Sequence, residues 1–354
     1  MGTKTKLFHH DKPITGIDIS PTGVKVMAID TKKWLVTGYG SADLDPTKLQ
    51  DSISTGNEYL AQNIEKLLTT KLNGKLPSNQ VVLSVPTSRT YSRTMTLPLD
   101  SAKNLAEAIQ LESEQYIPIP VSELNIDYEI IERSSKDITV LMSAVPKKIV
   151  ESAVLACEQI GLEVIMVEPG ISSVARLITK TEEGHLPTVI VDIGAATTDI
   201  AILDEFIRVT GGISVGGNSF TLDISKKLKV SLENAHQLKV LNGLSAGAKQ
   251  AKITAALKPD LDLITNEVQK MMRYYTERLG AQKKIEQVII VGGGSNIPGL
   301  GEYFTDKLIL PARVASPWQV LNFGKLPQPS HQYKPRYITA AGLACVNPHE
   351  VWHD

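Results

Sequence analysis

The stretch VIVDIGAATTDIAILD, residues 189–204, decides the fold: an apolar run ending in Asp192, a cluster of small residues, then a second alternating apolar run. Period-two alternation on both sides of a short Gly/Ala/Thr turn reads as a β-hairpin. Gly194, Ala195, Ala196, Thr197 and Thr198 let a ligand approach the backbone closely, and successive N–H groups in such a turn make an anion-binding nest. Asp192, at the strand end, is placed to hold the water shell of Mg²⁺. A strand follows the turn. That excludes the P-loop and the dinucleotide fingerprint, in which a helix N-terminus receives the phosphate.

The same layout occurs in GIDISPTGVKVMAID, residues 16–30, which offers Asp18, Ser20, Thr22, Gly23 and Lys25. Singly, a small-residue turn is most often just a turn, and Lys25 a solvated strand residue. Half a chain apart, the two copies read as related halves, each opening with a hairpin, that pinch a triphosphate and its metal. A third piece, VIIVGGGSNIPGLGEYF (288–304), runs from an apolar strand through Gly292, Gly293, Gly294 and Ser295 towards a helix with Pro298 near its first turn. A triple glycine here is by default a tight connection; after the second hairpin it reads as a floor for a nucleoside.

Between these pieces the periodicity predicts strands over 14–40, an amphipathic helix at 57–72, a buried strand at 81–85 and a helix marked by Leu105, Ile109 and Leu111. It then predicts paired strands at 126–131 and 138–145, a helix at 147–160 closed by Gly161, strands over 188–216 and helices over 217–280. Residues 182–187 read as a linker and 325–336 as a surface loop. The chain has 354 residues with 37 Lys+Arg against 38 Asp+Glu, a balance that argues against a nucleic-acid binder. Cys157 and Cys345 match no metal or redox spacing and suit a reducing compartment as small buried apolar residues. No apolar run reaches the roughly 20 residues a bilayer needs, and MGTKTKLFHHDK lacks the apolar core of a signal peptide. A cytoplasmic protein is expected.

The hairpin with Asp18, VDIGAATTDIAI and GGGSNIPGL, in this order, resemble the phosphate-1, phosphate-2 and adenosine motifs of the actin-like ATPase superfamily. Within it, SRTMTLPL (92–99), ESEQYIPIP (112–120), NIDYEII (125–131) and SAVPKKIV (143–150) resemble the type IV pilus assembly PilM family, itself similar to the division protein FtsA. The resemblance implies an α/β, actin-like (ribonuclease H-like) two-lobed ATPase fold with a small α+β subdomain inserted in the first lobe. The first lobe would comprise 1–85 with 162–185 and 330–354, and the insertion 86–161. The second lobe would comprise 186–230 and 281–329, with a helical subdomain at 231–280.

It also implies ATP and Mg²⁺ as cofactors. Asp18 and Asp192 would hold the metal through water; Ser20, Thr22, Gly23 and Lys25, with Gly194 to Thr198, would surround the phosphates. Gly216, Gly217 and Asn218 of ISVGGNSF would lie near phosphate and ribose at a helix N-terminus. Lys239 and Gly292 to Ser295 would contact the nucleoside, and Glu168 of VEPG would orient the attacking water. Three departures from the family pattern bear on affinity and turnover: Pro21 removes an N–H from the first turn, His236 stands where a Glu is usual, and Pro169 follows Glu168.

The function implied is a cytoplasmic ATP-binding adaptor, peripheral to the inner membrane, with weak hydrolysis. Its partner would be the N-terminal peptide of a PilN-like single-span membrane protein, held in a groove beside the insertion. Other platform proteins or a motor ATPase are further partners; nucleic acid and direct membrane insertion are excluded. A working ATPase or small-molecule kinase is the alternative, although no substrate-activating acid or base stands out near the hairpins. An FtsA-like membrane-associated protein is another, although the tail NPHEVWHD (347–354) is short and not basic.

Overall fold

The computed structural model describes residues 13–279, 283–347 and 351. The signal-peptide expectation for residues 1–12, and most of the tail 347–354, lie outside the described residues. The chain opens with an antiparallel meander, β1 (Thr15–Ser20), β2 (Gly23–Asp30) and β3 (Leu35–Asp43). Helix α1 (Pro46–Thr55) is capped by Asp45, whose carboxylate accepts from the N–H groups of Thr47 and Lys48, and stops at left-handed Gly56. Helix α2 (Tyr59–Lys66) continues as a π-helical turn to Lys71 and buries Leu60, Ile64 and Leu67. Strand β4 (Asn73–Gly74) edges the meander, and β5 (Gln80–Val85) runs parallel to β1.

Next come β6 (Tyr91–Pro98), α3 (Leu105–Ser113), β7 (Leu124–Arg133) and β8 (Asp137–Pro146), a three-stranded sheet of order β6-β8-β7 with α3 on its core. Leu105 and Ile109 are buried there, but Leu111 points to solvent at 60% exposure, against its use as a helix-face marker. Helix α4 (Lys147–Glu158), β9 (Glu163–Pro169) and α5 (Gly170–Thr181) complete a six-stranded sheet of order β4-β3-β2-β1-β5-β9.

The second half repeats the pattern. Strands β10 (Thr188–Ile193), β11 (Thr198–Asp204) and β12 (Phe206–Ile213) form a meander. Helices α6 (Gly217–Leu228), α7 (Leu232–Leu241) and α8 (Gln250–Arg273) precede β13 (Gln287–Val291), α9 (Leu300–Leu308), β14 (Ala312–Val314) and α10 (Ile338–Ala344). Their sheet has the order β12-β11-β10-β13-β14, which matches β3-β2-β1-β5-β9 strand for strand. The echo seen in the sequence is thus a repeated topology.

Two compact units result: Met1–Pro86, Pro146–Glu183 and Pro317–Asp354 form unit 1, and Thr87–Val145 with Gly184–Ser316 form unit 2. Unit 1 differs from the expected first lobe in two places. Helix α4, assigned from sequence to the insertion, buries Ala153, Ala156 and Cys157 in the core that α1 and α2 make on β1, β2 and β5. Residues 317–329 join unit 1 because Asn322 pairs with β3 and Phe323 packs edge-on against Tyr39. The insertion groups with unit 2, where the Thr94 hydroxyl donates to the Arg208 carbonyl. No helix among the described residues is long and apolar enough to cross a membrane.

Cys157 and Cys345 are both buried, and burial pushes their thiols up to about 12 and about 11. Both act as small hydrophobes. Cys157→Ser places a hydroxyl in the α4 core and is expected to cost about 1–3 kcal/mol in urea denaturation; an unchanged midpoint contradicts this.

Candidate functional site

In unit 2 three small-residue loops come together. Gly194 N–H closes the β10–β11 turn on the Thr197 carbonyl at 2.8 Å. The carbonyls of Gly194 and Ala195 accept from Gly217 and Asn218 N–H, at 2.9 and 2.8 Å, which ties the turn to the start of α6. Those two helix N–H groups, expected to meet an anion, are committed to the turn. Among the described residues the N–H groups of Ala195, Ala196 and Thr197 donate no hydrogen bond, and none of the three residues is buried. Three successive donors of that turn are thus left uncommitted.

Gly292 follows β13 at φ +88°, and a Cβ there would lie 2.1 Å from Asp192 Oδ1. A side chain is excluded twice, by backbone conformation and by the carboxylate. A Cβ on Gly294 would sit 2.7 Å from the Gly194 carbonyl, and one on Gly217 would sit 3.2 Å from Gly294 Cα. Gly293 begins the single 3₁₀ turn that Ser295 ends. Two hydroxyls assigned to ligand contact are structural: Thr198 Oγ1 donates to Val215 O at 2.8 Å, and Ser295 Oγ to Gly292 O at 2.7 Å. Lys239 is buried, with Nζ donating to Gly217 O at 2.6 Å and Thr221 Oγ1 at 2.8 Å. Burial lowers its pKa to about 8.

Asp192 stands in register with Asp199 across β10–β11, so their side chains share a face. Two carboxylates side by side repel unless a cation or proton joins them. No group of three or more His, Cys, Asp or Glu among the described residues is placed to hold a metal. Asp199 escaped the sequence reading because it falls in the alternating strand, beyond the turn.

In unit 1 the first hairpin has the same shape and different electrostatics. Asp18 is in register with Lys25, and Lys25 Nζ reaches Asp18 Oδ2 at 3.1 Å and Ser20 Oγ at 2.6 Å. The other oxygen of Asp18 accepts from Ser84 Oγ at 2.8 Å. Both oxygens of Asp18 therefore have partners within unit 1. Gly23 is needed for packing: a Cβ would lie 2.5 Å from Ala42 O. Thr22 lies at the hairpin turn, where its carbonyl accepts from Leu44 N–H.

Glu168 sits level with Ser84, and Ser84 with Asp18, across β9, β5 and β1. Its carboxylate is buried and gripped by Arg176 in a two-bond fork, Nη1–Oε1 2.6 Å and Nη2–Oε2 2.7 Å. A carboxylate held this way has both oxygens engaged by one guanidinium and is not free to orient a water. Ser84 and Arg176 were absent from the sequence reading, although each is a lone polar residue in an apolar run, VVLSV (81–85) and VARLI (174–178).

A model of the family described as type IV pilus assembly protein PilM matches residues 16–347. FtsA from Borreliella burgdorferi is 27% identical over 192 residues, 49% of this chain and 45% of that protein. The chain spans about half the length of the curated relatives it matches. Among solved structures, a PilM–PilN type IV pilus biogenesis complex superposes with TM-score 0.76 at 21% identity, over 94% of this chain and 98% of that one. MreB5 of Spiroplasma citri, bound to ADP, superposes with TM-score 0.55 at 16% identity, over 94% and 95%. These likenesses establish the actin-like ATPase fold.

Glu168→Gln removes the buried charge that is paired with half-buried Arg176 and is expected to cost about 3–5 kcal/mol in urea denaturation, with nucleotide turnover per folded molecule unchanged. Lost turnover at unchanged stability would instead give Glu168 the water-orienting role. Lys239 has a lower pKa folded than unfolded, so the unfolded chain binds the extra proton between about pH 8 and 10.5. Stability attributable to this group therefore rises with pH across that window. Lys239→Met is expected to flatten that rise when denaturation midpoints of the two proteins are compared, and identical slopes contradict the assignment.

Proposed function

Because the chain belongs to the type IV pilus assembly protein PilM family, we propose that this actin-like protein is an ATP-binding adaptor of a pilus assembly platform. The observation that carries the nucleotide part is local: three uncommitted N–H donors, Ala195 to Thr197, lie in the same hairpin as the paired carboxylates Asp192 and Asp199. One suits a phosphate and the other a hydrated cation. Asp192, with Asp199 beside it, would hold Mg²⁺ through water. The ion, when bound, would offset the charge of the phosphates. For the hairpin of unit 1, the family resemblance supports Asp18, Ser20, Thr22, Gly23 and Lys25 as metal- and phosphate-contacting residues. Lys239, Gly216 to Asn218 and Gly292 to Ser295 would frame the nucleoside side.

Hydrolysis is proposed to be weak because phosphoryl transfer to water depends on positioning, and Glu168 is committed to Arg176. ATP then acts as a ligand whose binding is linked to that of a partner. The proposed partner is the N-terminal cytoplasmic peptide of a PilN-like single-span membrane protein, which would hold the adaptor at the inner membrane. Family membership supports this, and so does strand β7, an outer strand of the three-stranded sheet whose exposed Asn125, Asp127 and Glu129 alternate with half-buried Ile126, Tyr128 and Ile130. An extended peptide can add to such an edge by backbone pairing, with side-chain pockets giving specificity.

Isothermal calorimetry with ATP and Mg²⁺ is expected to give a binding isotherm for the unmodified chain and none for Asp192→Ala, which is also expected to bind the peptide more weakly. Equal affinities for both ligands refute the linkage. Steady-state turnover above about 1 per second, in the range of kinases, rejects the adaptor in favour of a phosphotransferase.

A further inference from the structure

The β2–β3 turn of unit 1 carries the sequence Asp30-Thr31-Lys32-Lys33-Trp34. Asp30 closes it as an Asx turn: Oδ1 accepts from Lys32 N–H at 3.1 Å and Lys33 N–H at 3.3 Å, and its carbonyl accepts from Lys33 N–H. Trp34 then takes the left-handed conformation, φ +50°. In a hairpin of this kind that position belongs to glycine, and a bulky aromatic there is a genuine outlier. Strain of this sort persists where something other than the turn itself calls for the side chain.

The turn is rigidly mounted. Asn322 N–H donates to Trp34 O and Val36 N–H donates to Asn322 O, both at 2.8 Å, so the segment after Pro317 is laced to the start of β3. The same lacing gathers lysines. Lys75 N–H donates to Thr37 O at 2.9 Å. Gly324, which precedes Lys325, lies against Leu35, and Leu326 lies against Gly74. Lys334 Nζ stands 5.5 Å over the Phe323 ring. Lys32, Lys33, Lys75 and Lys325 are exposed, Lys33 at 74% of its side chain. Asp30 is the acidic residue of the turn, and its carboxylate faces the turn's own amides and Lys33 Nζ at 3.6 Å. In a chain whose net charge is −1, this end of unit 1 concentrates positive charge around one partly exposed Trp.

We propose that this lysine-rimmed, Trp-tipped end of unit 1 is a docking surface for an anionic membrane. Lysines beside an anionic leaflet contribute about 1 kcal/mol each, and Trp, with an apolar body and an N–H tip, is the residue that settles at the headgroup level. The contact is superficial and spans nothing. It supplements the partner-mediated attachment proposed above, and its test uses neither nucleotide nor peptide, so the two readings fail separately.

The full chain is mixed at low salt with vesicles of phosphatidylcholine alone, or of phosphatidylcholine with phosphatidylglycerol, and sedimented. Binding is expected to the anionic vesicles only, to disappear at high salt, and to weaken roughly twentyfold or more in the double variant Lys32→Glu, Lys33→Glu. Trp34→Gly installs the residue the turn prefers, so the fold is retained, and it too is expected to lose binding; circular dichroism checks both variants. Equal binding to neutral vesicles, undiminished binding by the folded double variant, or no binding at low salt overturns the proposal. Retention on an acidic polypeptide without anionic-vesicle binding assigns the surface to a protein partner and overturns it as well.

Discussion

The candidate site is built where a glycine leaves room for a carboxylate. Gly292 sits where any side chain would collide with Asp192, in a backbone conformation other residues rarely adopt. Around that contact the turn after β10, the start of α6 and the run after β13 pack backbone on backbone, and two α6 N–H groups are bonded to carbonyls of the turn. Those bonds turn the Gly194 and Ala195 carbonyls towards α6 and leave the next N–H groups uncommitted. In the proposed reading, the anion receptor is a by-product of how the turn is braced. Donors fixed in this way need no reorganisation to meet a charge.

Duplicated topology places a hairpin of the same shape in each unit, yet the two are electrostatically unlike. Across the first, Asp18 faces Lys25; across the second, Asp192 faces Asp199. The first pairs a carboxylate with an ammonium, with Ser84 completing its hydrogen bonds, and the second sets two carboxylates level with each other. A level row from Lys25 through Asp18, Ser84 and Glu168 to Arg176 then runs across four strands into α5. Arg176 also reaches the carbonyl of Gly342, in α10. Burying this row is tolerable because each charge has a partner at hydrogen-bond distance.

Much of this was legible because it depends on periodicity and on residues that only one backbone geometry suits. The paired hairpins, the strand before Gly292 and the helices over 217–280 were read from alternation and small-residue turns alone. What escaped depends on pairing across the sheet, which a linear sequence does not display. Glu168 was read as a water-orienting group, but helix α5 folds Arg176 back onto it, and Asp199, not singled out at all, falls opposite Asp192 by strand register. Thr198 and Ser295 carried the right chemistry for ligands but turn their hydroxyls to nearby carbonyls. Helix α1 was readable and overlooked: Asp45-Pro46 is a strong start signal and Gly56 a strong stop, but only Leu49 and Ile53 mark its apolar face. The extent of unit 1 was misjudged because α4 and the 317–329 segment join it through long-range packing of Cys157 and Phe323.

Whether the turn after Asp192 receives a phosphate decides the proposed nucleotide function. The most direct measurement is the amide chemical shifts of Ala195, Ala196 and Thr197 in labelled protein titrated with ATP and Mg²⁺. Saturable downfield movement of these three, with Gly217 and Asn218 amides little changed because they stay bonded to the turn, is the expected result. Shifts confined to other residues, or none at saturating nucleotide, would contradict it.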